Sequence, residues 1–183
     1  MGVLYEQLEK VLLPGMLIPE PLALLYEWIE ENQTYIDRED GVRFGSLFSE
    51  EELRQTQTDT ERYGRTEIEF VACGNSGLEY WFGHNKKEIL NRLCVFAITG
   101  CEGSMAAFWL DGRGNQKIVH MGSGSGSTLV CVLADYCIDF LRLIAIGYDE
   151  ICWNEEYSKA PNEDIGRDEL FVHPHREFQE WVI

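Results

Sequence analysis

Residues 108–147, FWLDGRGNQKIVHMGSGSGSTLVCVLADYCIDFLRLIAIG, constrain the fold more than any other stretch, because they spell out hairpin, glycine loop, strand and amphipathic helix in succession. Two apolar runs, Met105–Leu110 and Lys117–Met121, flank Asp111-Gly112-Arg113-Gly114-Asn115. Glycines that tolerate positive φ are what a tight antiparallel reversal needs, so the spacing predicts a hairpin over 105–121. Gly122–Ser127 then leads into the apolar run Thr128–Leu133, a strand, and Asp135 offers an acceptor to cap a helix over 135–146. Gly147 is placed as the residue that ends it.

Within that helix Tyr136, Phe140, Leu143 and Ile144 recur at three- and four-residue intervals, while Asp139 and Arg142 fall off the stripe. One broad face should be buried. The block FWLDGRGNQKIVHMGSGSG, a strand, then DFLRLIAIGYDEI resembles the C-terminal core of the SUKH superfamily. Its eukaryotic members include the Smi/Knr regulators of fungal cell-wall synthesis, and many of its bacterial members are immunity proteins. Ile18–Asn32 is similar to the family's opening proline and amphipathic helix, and Phe178–Val182 to its closing aromatic segment. Thr34–Asn91 is longer than the family's minimal pattern. The resemblance implies an α+β domain that binds and does not catalyse.

A chain of 183 residues with 45% hydrophobic residues can bury a sizeable core, and one domain over 1–183 is expected. Its 32 acidic against 15 basic residues leave a formal charge of −17. Such a surface repels phosphate backbones and anionic lipid and steers basic partners, so neither nucleic acid nor membrane is expected as a direct partner. Solubility alone is the bland account of the same charge. Six cysteines at 73, 94, 101, 131, 137 and 152 form no C-x-x-C pair and read as buried, reduced thiols. Glu6 and Glu9 interrupt the amino-terminal apolar residues, which argues against a secretory signal, and no apolar run approaches the ~20 residues of a membrane span. A cytoplasmic location follows as the expectation.

Along the chain, Val3–Leu13 predicts a short helix stopped by Pro14-Gly15, and Pro19 and Pro21 start a second with Leu22, Leu25, Tyr26 and Ile29 on one face, widened by Leu24 and Trp28. Thr34–Arg43, acidic and turn-rich, reads as an irregular excursion. Glu67–Val71 alternates charged and apolar residues as a strand with one wet face does, and Leu78–Phe82 and Leu93–Thr99 are further strand candidates. Glu88–Arg92 fits either a helical turn or a strand approach. Trp28 and Trp109 read as core residues, and Glu177–Ile183 as a short docked helix.

Motifs for catalysis are weak. Gly122–Ser127 lacks the lysine of a P-loop and precedes a strand, so it reads as a connection and not a phosphate cradle. His173-Pro174-His175 has no third ligand at usual spacing, His84 is isolated, and His120 on an alternating strand reads as a surface or boundary residue. Ser76 lies outside a G-x-S-x-G elbow, and paired carboxylates are expected by chance in so acidic a chain. No catalytic, cofactor-binding or metal-binding residue is therefore assigned, and the chain reads as a non-enzyme.

The acidic run after Gly147 is different. Trp153 and Tyr157 sit among Glu155, Glu156, Glu163, Asp164, Asp168 and Glu169, an aromatic anchor ringed by carboxylates. These eight residues are the predicted partner-binding set. Together with the SUKH resemblance they suggest an immunity protein that neutralises a cognate toxin, basic and of nuclease type, by direct binding. The competing reading is a regulatory interaction module or ligand-binding protein of the Smi/Knr type with no toxin partner. The expected architecture is α+β: two amino-terminal helices, a mainly antiparallel central sheet with the 105–121 hairpin, and the 135–146 helix packed on it.

Overall fold

The computed structural model describes residues 2–49, 51, 68–100, 103–123 and 130–145. Among them the fold is α+β. Helices α1 (Val3–Val11) and α2 (Glu20–Glu31) come first, then strands β1 (Tyr35–Asp37), β2 (Arg43–Gly45) and β3 (Glu69–Gly74). Short helices α3 (Leu78–Phe82) and α4 (Lys87–Leu90) precede β4 (Leu93–Ile98), β5 (Met105–Leu110), β6 (Gln116–Met121) and β7 (Val130–Ala134), and α5 spans Cys137–Ala145. The seven strands form one antiparallel meander in sequence order. Every pairing is between chain neighbours, which keeps the topology simple.

The predicted hairpin is the β5–β6 pair, with Met105 opposite Met121 and Leu110 opposite Gln116. Its turn is held by Asp111, whose Oδ1 accepts from the Arg113 and Asn115 amides at 2.8 Å each and whose Oδ2 accepts from Asn115 Nδ2 at 2.9 Å. Burial works to raise the Asp111 pKa, but the hydrogen bonds from Asn115 and Arg113, helped by Lys117, outweigh it and hold the carboxyl below its usual range.

One face of the sheet is covered by α1, α2 and α5, and there Phe96 stacks on Phe108 with centroids 4.4 Å apart and meets Phe140 of α5 edge-on at 5.6 Å. Tyr26 of α2 meets Phe70 of β3 edge-on at 5.8 Å. A bulge on β4 helps: Val95 pairs with Ala107 and Ala97 with Ala106, so Phe96 is the extra residue, and it joins Ala97 in the helix-covered cluster. On the other face Leu93, Val95, Trp109, Val119 and Met121 cluster with Leu78 of α3. Two-sided burial explains why β4 reads as a continuous apolar run.

Five sequence expectations are corrected. Leu78–Phe82 is a helix, not a strand: Leu78, Trp81 and Phe82, at i, i+3 and i+4, pack on the outer cluster while Tyr80 is 84% exposed. Gly77 and Gly83, with φ of 81° and 68°, bound it on both sides. Thr34–Arg43 is not irregular but contributes most of the β1–β2 hairpin, reversed at Asp40-Gly41, with Gly41 at φ 82°. Leu24 and Trp28 lie outside the buried face of α2, since the 3.6-residue turn carries them round to the side opposite Leu22 and Ile29. His120 is fully buried on β6, and Tyr136 is 71% exposed because it precedes α5, its carbonyl accepting from the Asp139 and Phe140 amides. Glu88–Arg92 resolves into α4, Lys87–Leu90, and a following turn. Glu67, Ser127, Thr128, Leu129, Ile146, Gly147 and Glu177–Ile183 lie outside the described residues.

Candidate functional site: an acid-rimmed ridge and groove on the amino-terminal helices

The eight predicted partner-binding residues, Trp153, Glu155, Glu156, Tyr157, Glu163, Asp164, Asp168 and Glu169, lie outside the described residues, as do His173 and His175 and Ser125 of the glycine loop. The described part carries a second arrangement of the same chemical kind. Residues 2–32 hold six glutamates and one lysine. Helix α2 turns Leu22, Tyr26 and Ile29 inward, and the opposite side presents Leu24, 57% exposed, and Trp28, 43% exposed, one turn apart. Glu20, Glu27 and Glu31 are exposed on that same side. The outcome is an apolar ridge edged by three carboxylates.

Beside the ridge runs a groove. Tyr5, Ile18, Ala23 and Tyr26 line a depression of about 290 Å³ with Glu20 and Glu27 at its edge. It adjoins a second, of about 470 Å³, that shares Tyr5 and Ile18 and extends past Glu9, Leu13, Met16 and Leu17. Leu17 is itself strongly exposed. Tyr5 and Ile18 are thus common to both basins.

Polar contacts fix the walls. Glu30 Oε1 at the end of α2 accepts from the Leu4 amide at 2.8 Å, satisfying a donor that the start of α1 leaves open, and lies 3.4 Å from Arg43 Nη1. Arg43 grips Asp37 with two hydrogen bonds of 2.7 Å and lies 3.6 Å from the Tyr35 ring centroid. Its hydrogen bond holds the Asp37 carboxyl below the usual range. On the far side the Gln116 amide brackets Leu17, accepting from its N–H at 3.0 Å and donating to its carbonyl at 2.8 Å. Both ends of the helix pair are therefore tied to the sheet.

Chemistry elsewhere among the described residues is structural. Burial pushes the Cys94 and Cys131 thiols up to about 12 and Cys137 up to about 11, and raises Cys73, so these thiols stay protonated near neutral pH and are poor nucleophiles. All four are free, in line with the reduced-thiol reading. Burial likewise raises the Tyr26 hydroxyl well above its usual value. His84 stacks on Phe82 and its Nδ1 accepts from the Lys86 amide. Lys117 pairs with Asp135, the residue expected as a cap. Among the described residues no group of three or more His, Cys, Asp or Glu side chains is placed to hold a metal, and no helix is long and apolar enough to cross a membrane.

The chain matches no family model, no curated protein and no solved structure. Function therefore rests on the chemistry of the surface.

Sequence reasoning missed this ridge by assigning Leu24 and Trp28 to the core. The signal was present: seven of the twelve residues of α2 are apolar, more than one buried stripe of a surface helix uses, and the surplus falls on the glutamate side.

Proposed function

We propose that the chain is a non-catalytic protein-binding domain of the SUKH kind, an immunity protein that neutralises a cognate toxin, basic and of nuclease type, by direct binding in the cytoplasm. The observation that carries this reading is the surplus of 17 negative charges on a chain in which Trp28, Trp153 and Tyr157 stand near carboxylates in the sequence. A nuclease cleft is shaped for phosphate, and a carboxylate-bearing surface is its natural complement, attracting it at long range and filling it at contact. The carboxylates of Glu155, Glu156, Glu163 and Asp164 replace phosphate in that cleft, and Trp153 anchors beside them. Burial raises the pKa of the four described thiols, so none of these four is a ready nucleophile at neutral pH.

Co-expression with a candidate toxin from a neighbouring gene tests the proposal. Cells carrying both genes survive, the two chains co-purify, and the association rate falls steeply as salt rises from about 50 to 500 mM. Survival without co-purification removes direct binding. Complex formation indifferent to salt removes the electrostatic mechanism.

A further inference from the structure

We propose that the α1–α2 face docks a lysine- or arginine-rich protein segment that also carries apolar side chains, with Leu24 and Trp28 as anchors and Glu20, Glu27 and Glu31 as the charge ring. The inference rests on the protein-binding reading and assigns it a contact surface within the described residues.

Three features of the face favour this occupant. Trp28 and Leu24 stand side by side and partly exposed on a helix whose opposite face supplies its packing among the described residues, so both retain apolar surface that a partner can bury. Glu20 and Glu27 edge both ridge and groove, so a cation reaching for either passes over an aromatic or aliphatic floor, where a docked partner would exclude water and strengthen its attraction to carboxylate. Lys10 is the sole basic residue in 2–32 and the nearby Arg43 is already engaged by Glu30 and Asp37, so the charge of this face is predominantly negative and disfavours acidic partners. The groove is also held before binding: Glu30 joins the two helices and Gln116 clamps Leu17, so little ordering cost is left for docking.

The test uses the full chain and two synthetic peptides of equal length and charge, one alternating lysine with leucine and one alternating lysine with serine, at about 150 mM salt. The lysine–leucine peptide is expected to bind more tightly. The double substitution Leu24→Ser and Trp28→Ser lowers its affinity about tenfold and leaves the lysine–serine peptide unaffected. The triple substitution Glu20→Gln, Glu27→Gln and Glu31→Gln weakens both peptides about tenfold, whereas Glu39→Gln, Glu79→Gln and Glu88→Gln, an equal loss of charge elsewhere on the surface, weakens them less than about threefold. Equal weakening by the two triples would mean a diffuse field with no docking face, and an unaltered lysine–leucine affinity in the double variant would remove the anchors. Toxin neutralisation is scored separately. Probe binding at this face in a chain that rescues no cell leaves the docking face standing and ends the immunity reading. Equal neutralisation by wild type and the Glu20, Glu27 and Glu31 variant, together with equal weakening of the peptides by the two triples, leaves immunity standing and ends the docking face.

Discussion

Phe108 and Trp28 are both large aromatics in segments with a strong apolar pattern, yet one sits at the centre of the sheet and the other on the outside of α2. Around Phe108 the cluster is apolar and buried: Phe96 stacks on it, and Phe140 of α5 meets Phe96 edge-on. Around Trp28 the neighbours on the helix are Leu24 and carboxylates, with solvent beyond. The difference separates side chains that hold the fold together from side chains the fold merely carries. Substitutions in the first region are expected to register as stability, and in the second, on the proposed docking face, as binding.

The sharpest way to break that contrast is Phe108→Ala. It removes the ring on which Phe96 stacks and is expected to cost about 4 kcal/mol, read as a lower urea midpoint with an unchanged slope. A loss under about 1 kcal/mol would show that the stack is not the centre of the core. Next in size is Gly45→Ala. A Cβ there would lie 2.7 Å from Leu4 Cδ1 and 3.0 Å from Ile29 Cγ2, so the buried Leu4 and Ile29 side chains must give way, at about 1 to 2 kcal/mol. Thermal melting of this variant measures how firmly the helix pair is seated.

Asp111→Ala removes three hydrogen bonds from the hairpin turn and is expected to cost between about 1 and 2 kcal/mol at neutral pH. Because the folded-state pKa of Asp111 is lowered, its contribution is fully present above the unfolded value near 4 and disappears as pH falls through the folded value. The stability gap between wild type and Asp111→Asn should accordingly narrow below pH ~4, and a gap constant with pH would refute the assignment. Smallest in stability is the double substitution Leu24→Ser and Trp28→Ser. It should shift unfolding by no more than about 0.5 kcal/mol, and a larger loss would place these side chains in the core after all.

The longer regular elements were legible from residues alone. The 105–121 hairpin, the opening helices and the helix after Asp135 each carry several turns or pairs of periodic pattern, enough for local preference and burial to agree. The β1–β2 hairpin was not, because three-residue strands are too short to display alternation, although Asp40-Gly41 is a known reversal signal. Leu78–Phe82 misled for a related reason: five residues containing three aromatics fit either period until Gly77 and Gly83 are seen to take left-handed φ.

By itself the sequence determined the α+β class, the antiparallel hairpin and the chain's negative charge, since all three follow from local periodicity, turn chemistry and a count of ionisable groups. Tertiary structure alone decided which apolar residues were surplus. A helix with more apolar residues than one interface can cover must leave some in water, and only the placement of α1, α5 and the sheet against α2 shows that Leu24 and Trp28 are the ones left among the glutamates.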